Sequence, residues 1–231
     1  MKAMNIRIAG CMIAAVFTVC ITSAVAAEKV STDELRKALY KSYQSEKEYK
    51  YDDAVKALAQ ILKANPQNYT LNMRLGWLYY MLGNYEYSKS SYQNAIKASP
   101  ASIEAKTGCM LPLLALGKYN EVDDLTQQVL ADDPGNYYAG LRYAYSLRMQ
   151  GHFEQAYSVA MCLRKMYPSD TTVLTEVAML KWAVNDTNAA KAAFNEILTL
   201  NPYNKFAKDM LEKLSSDANT AMGRASGLNR Q

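Results

Sequence analysis

The chain has 231 residues, half of them hydrophobic and 21% charged, with a formal net charge of +4. That length suits one solenoid or one to two compact domains, and nothing in so small a charge argues for nucleic acid, which normally shows as a strong basic stripe. Tyrosine is the outlier, 18 against 4 Phe and 2 Trp, and it supplies apolar area with a polar tip.

Residues 1–26 read as a secretory signal peptide. Lys2 and Arg7 precede an apolar run from Ile8 to Ile21, and Ser23-Ala24-Val25-Ala26-Ala27 offers a small-residue cleavage site after Ala26. The expected location is therefore the periplasm. The alternative is an uncleaved membrane anchor, for which the run is short; Val19 before Cys20 argues against lipid attachment there. Cleavage removes Lys2 and Arg7 and no acid, so the charge falls from +4 to +2. Cys11 and Cys20 leave as well. Cys109 and Cys162 remain, on helices not expected to be neighbours, and are expected to be free, half-buried thiols.

The lead-in, 27–34, ends in Ser31-Thr32-Asp33-Glu34, a capping box that opens a helix. From there the chain repeats itself. Five prolines stand at 66, 100, 134, 168 and 202, each 34 residues after the last, which predicts five units: 35–68, 69–102, 103–136, 137–170 and 171–204. Each proline stops a second helix, since it has no amide hydrogen to donate.

Within the units, Gly83, Gly117, Gly151 and Asn185 stand 17 residues before their prolines, where a tight helix–helix turn needs a left-handed residue. The first unit breaks near Tyr49–Asp52 without a glycine. An aromatic follows two residues on at Tyr51, Tyr85, Tyr119 and Phe153, replaced by Thr187 in the last unit. Two columns of mostly small residues mark close helix approach: Ala54, Ser88, Val122, Ala156 and Ala190, and Ser42, Gly76, Met110, Ala144 and Ala178. Pro112 lies off the proline series, inside a first helix, where it is expected to clash with the carbonyl of Gly108 and kink the helix around Met110. After the last proline, 205–214 reads as an amphipathic capping helix, and 215–231, poor in large apolar residues, as a disordered tail.

Leu75-Gly76, Tyr79, Gly83, Tyr85, Ser88, Tyr92, Ala95 and Pro100 together resemble the tetratricopeptide-repeat (TPR) signature. Ala144, Leu147, Gly151, Phe153, Ala156, Leu163 and Pro168 repeat it, as do Ala178, Ala190, Phe194, Ile197 and Pro202. The resemblance covers roughly 35–204. It implies an all-α, right-handed TPR solenoid of about five helix–turn–helix repeats, closed by the C-terminal helix.

Enzymatic motifs do not emerge. His152 is the only histidine, so neither a paired-histidine zinc motif nor a histidine triad can be built. Gly117-Lys118 lacks the upstream glycine of a phosphate loop, and Asp123-Asp124 and Asp132-Asp133 read as solvated faces. The expectation is a non-enzyme with no cofactor and no metal.

What remains is the surface of the first helices. The resemblance implies a concave, partner-binding face, lined here by Tyr43, Met73, Arg74, Trp77, Tyr80, Arg142, Tyr145, Arg148, Met179 and Trp182. Leu39, Leu111, Leu114 and Leu141 occupy matching rows. Aromatics, Met and Arg are the residues enriched at binding hot spots, although some of this set can instead pack between repeats. The Asn/Lys array with which some TPR proteins clamp a C-terminal carboxylate is missing. Expected is a protein- or peptide-binding adaptor or assembly factor of the periplasm or cell envelope, touching membrane only through an uncleaved signal segment. A self-associating scaffold is the alternative, and glycan or small-molecule binding on the aromatic groove a third reading.

Overall fold

The computed structural model describes residues 31–228, with side chains described to 216. The expected signal segment, 1–26, therefore lies outside the described residues, as do 27–30 of the lead-in. Eleven helices and no strand occur among the described residues. They form five antiparallel pairs and a final helix: α1 (Thr32–Lys47) with α2 (Tyr51–Ala64), α3 (Tyr69–Met81) with α4 (Tyr85–Ala98), α5 (Ile103–Ala115) with α6 (Tyr119–Asp132), α7 (Tyr137–Met149) with α8 (Phe153–Met166), α9 (Thr171–Ala183) with α10 (Thr187–Leu200), then α11 (Lys205–Leu228). Each pair packs on the next, and the first helices also touch one another directly, α3 on α5, α5 on α7 and α7 on α9.

The helix boundaries follow from local chemistry. Ser31 and Glu34 form the expected capping box, Ser31 N donating to Glu34 Oε2 at 2.9 Å and Glu34 N to Ser31 Oγ at 3.2 Å. A further cap recurs two residues after every proline: Asn68, Ser102, Asn136, Asp170 and Asn204 each accept, on a side-chain oxygen, the amide of the third residue on. This column satisfies one otherwise orphaned donor per first helix and sets where it starts. Between the helices of a pair, Gly83, Gly117, Gly151 and Asn185 adopt positive φ (61–80°). Tyr49, with φ 59°, takes the same place in the first unit without glycine's freedom.

Packing uses the two small-residue columns as anticipated: all ten of these residues are buried. Ser88 Oγ donates to the carbonyl of Gly76 at 2.7 Å, so a buried hydroxyl is satisfied across the α3–α4 contact. At the C-terminal end, Ala207, Met210 and Leu214 of α11 seal the cluster of Leu174, Ala178, Phe194 and Ile197. That is the role expected of the cap, since an open solenoid end would leave apolar surface in water.

Two expectations need correcting. The helix of the cap does not end at 214; it runs to Leu228, through most of the segment read as a disordered tail. The two thiols are both free but not both half-buried: Cys109 is buried and Cys162 exposed. Pro112 lies inside α5, which continues through it to Ala115, and Leu116 N donates to the Pro112 carbonyl at 3.0 Å.

Candidate functional site

The first helices line a cavity of about 480 Å³ whose walls are Tyr43, Tyr69, Thr70, Met73, Arg74, Trp77, Tyr92, Glu104, Thr107, Gly108, Tyr138 and Arg142. Five of the residues expected to bind a partner meet here: Tyr43, Met73, Arg74, Trp77 and Arg142. They come from α1, α3 and α7, and α4 and α5 complete the enclosure with Tyr92 and Glu104-Thr107-Gly108.

The wall near α1 is a hydrogen-bonded network in which the buried Arg74 Nε has no partner. Glu46 accepts from the Arg74 guanidinium and, at 2.7 Å, from the indole Nε1 of Trp77, while Arg74 lies 3.9 Å above the Tyr43 ring centroid. Burial pushes the Glu46 carboxyl up, but the hydrogen bonds from Arg74 and Trp77 outweigh it, and the net shift is down. Arg74 is thus held by its own protein, and Tyr43 and Trp77 line the cavity beside it.

At the other end, Arg142 has a different environment. Its Nη1 donates to the Thr107 carbonyl, and its guanidinium lies 5.3 Å from the Tyr138 ring centroid. Burial pulls its ionisation down from the ordinary arginine value, and the electrostatic neighbours that oppose this are Tyr92, Tyr138 and Tyr80. Arginine nevertheless keeps its charge in proteins. Tyr92 is 3% exposed, and burial pushes its phenol up to about 12, with Arg142 pulling the other way. The floor can therefore offer guanidinium N–H groups, a phenol and ring faces.

Tyr92 reaches the cavity because two glycines let it through. A Cβ on Gly76 would lie 2.8 Å from its ring and one on Gly108 2.5 Å, so the ring passes between α3 and α5 only where both backbones are bare.

The remaining candidates lie elsewhere. Tyr80 stacks on Trp77 at 6.2 Å and against Tyr85 at 5.7 Å, behind the cavity wall. Arg148 pairs through two nitrogens with Glu176, at 2.6 and 3.2 Å, and lies 4.9 Å over Tyr145. Met179 and Trp182 pack on the last core cluster, and Lys213 of α11 covers the Trp182 ring at 4.6 Å. The cavity thus does not include these two. Their neighbours are the capping helix and the last repeat.

The sequence reading passed over Tyr69, Thr70, Glu104, Thr107 and Tyr138. The hydroxyl of Tyr69 reaches Ser102 Oγ at 2.8 Å and donates to Glu104 at 2.9 Å; Tyr137, 68 residues later, reaches Asp170 at 3.1 Å in the same way. Tyr138 stands four residues before Arg142, one helical turn, and that spacing was the available signal.

Comparisons with known proteins agree with this architecture. Residues 47–109 and 172–204 each match a family model described as tetratricopeptide repeat. Among solved structures, a tetratricopeptide repeat protein from Parabacteroides merdae superposes with a TM-score of 0.70 at 15% identity, over 86% of this chain and 78% of that one. The MamA fragment from Desulfovibrio magneticus (residue 41 to the end) gives 0.67 at 14%, over 76% and 99%. A thermophilic TPR protein of Thermus thermophilus gives 0.64 at 14%, over 78% and 98%. At these identities the likeness concerns the fold. No curated protein matches the sequence. Two repeat-model matches, a 34-residue proline interval and five stacked helix pairs lead to one assignment: the chain is a tetratricopeptide-repeat protein.

Proposed function

We propose that this protein is a non-enzymatic adaptor or assembly factor, exported to the periplasm or cell envelope, that holds a segment of a partner protein in its concave groove. The fold supports a protein-interaction or scaffold role. The observation that carries the finer reading is the cavity along the first helices, where Tyr43, Trp77, Tyr92 and Tyr138 surround two arginines. Aromatic and Arg side chains on a preformed wall give contact area with little ordering cost on the receptor side. Export is supported by the signal-peptide layout of residues 1–26.

The test is site-specific photocrosslinking in intact cells, with the photoreactive residue at Met73 or Thr70 in the cavity and, as control, at Lys97, an exposed residue of a second helix. A defined crosslinked partner at 70 and 73, absent at 97 and lost with Trp77→Ala, supports the reading. Equal crosslinking from all three positions would refute it. Protection of the crosslinked species from protease added outside the inner membrane would refute export.

A further inference from the structure

Successive first helices meet along the groove in a fixed register, in which a residue near the end of one helix faces the residue 28 positions later on the next. Two junctions in this register are ion pairs. Glu46 meets Arg74, and Arg148 meets Glu176 at 2.6 Å with the charges exchanged. The same spacing sets Tyr80 against Gly108 and Leu114 against Arg142. Leucine has no charge to offer. Among the described residues no carboxylate lies within ion-pair distance of Arg142, and its one hydrogen-bond partner is the Thr107 carbonyl. A guanidinium has five N–H donors, and a half-buried cation without an anion forfeits hydration it does not recover internally.

We propose that Arg142 is the anchor for one internal carboxylate side chain, Asp or Glu, of the bound segment, which takes the place of the anion that Leu114 does not supply. This rests on the concave-groove reading above. One acid is expected rather than an acidic tract, because Arg74 is already held by Glu46, and Glu104 adds a negative charge to the same cavity. The flanking positions of the segment should be apolar or aromatic, to lie on Met73, Trp77, Tyr92 and Tyr138. A side chain is expected rather than a chain end because α9 packs on α7, so the row of first helices continues past Arg142.

The experiment uses the full-length chain and three pools of 12-residue peptides, acetylated and amidated at their ends, with the central residue fixed as Glu, Gln or Lys and the rest randomised. Retention of the Glu pool should exceed that of the Gln pool by roughly tenfold to a hundredfold, the span expected of a hydrogen bond to a charged group. Arg142→Gln should bring the Glu pool down to the Gln level and leave the Gln pool unchanged. Leu114→Glu, which supplies the missing carboxylate from within, should do the same even if Arg142→Gln does not fold. Equal retention of Glu and Gln pools, both lost with Trp77→Ala, would overturn the Arg142 assignment and leave the groove reading standing. Retention only after the terminal amide is replaced by a free carboxylate would overturn the side-chain assignment. If no pool is retained, the groove reading fails, and this proposal with it.

Discussion

Replacing Gly108 by alanine should destabilise the protein, although the same change at an open helix position would stabilise it. The new Cβ would sit 2.5 Å from Cε1 and 2.9 Å from Cδ1 of Tyr92, inside contact distance. The ring cannot retreat, because on its other face the Gly76 backbone leaves only enough room for a missing Cβ, 2.8 Å from three ring atoms. Overpacking of this kind costs about 1–3 kcal/mol, against a helix-propensity gain of about 1 kcal/mol for Gly→Ala. The net expectation is a loss of up to about 2 kcal/mol in urea unfolding followed by circular dichroism. Tyr92→Leu supplies the decisive background, since leucine is what the first unit carries there (Leu58) and has no atom at the ε position. In that background Gly108→Ala should become stabilising, by up to about 1 kcal/mol. If the alanine stabilises by the same amount with and without the tyrosine ring, the ring is not held between the glycines and the reasoning fails.

Arg148→Ala should cost about 3–5 kcal/mol in the same assay, because it strands Glu176, whose residue is 6% exposed; Arg148→Met with Glu176→Leu should restore most of that stability. Glu46 has its folded-state ionisation lowered, so its contribution to stability is complete above the ordinary glutamate value of 4.5 and is lost as pH falls through the lower folded value. Trp77 emission in a Trp182→Phe background should therefore titrate with a midpoint below 4.5, and a midpoint at or above it would contradict the network. A thiol reagent should label Cys162 in the native protein and spare Cys109, which is buried and whose thiol burial pushes up to about 12; in denaturant both should react.

The repeat frame was legible because each of its marks is a local backbone demand. Proline stops a helix wherever it falls, Gly83, Gly117 and Gly151 answer a left-handed turn, and Ala54 or Ala190 answers close helix approach. The cap column from Asn68 to Asn204 obeys the same period and could have been read from the same sequence. The groove was legible only in part. Met73 and Trp77 share a helix face with Arg74, and helical spacing brings them together. Whether an arginine is held internally or left over depends on contacts between units, such as Glu46 to Arg74 at a separation of 28, and those depend on how one helix pair sits on the next. Nothing in a single helix reports that. Trp182 illustrates the same point, since its position matches Tyr80, Arg148 and Glu46 in sequence, yet it lies beside Lys213 of the capping helix.

That distinction separates scaffold from site along the concave face. Arg74, Arg142 and Arg148 look alike in the sequence as cations on first helices, and a binding role could be read into any of them. Arg74 and Arg148 each close a junction between neighbouring repeats, so their loss should be felt first in the fold. Arg142 closes its junction with no ion pair among the described residues, only with a hydrogen bond to the neutral Thr107 carbonyl, and removing it relieves a half-buried charge rather than stranding one. Its substitution should therefore leave stability nearly unchanged or raise it. A residue that costs the fold its hydration and returns no ion pair within it is retained most simply for what it does to something else, and in this groove that something carries a carboxylate.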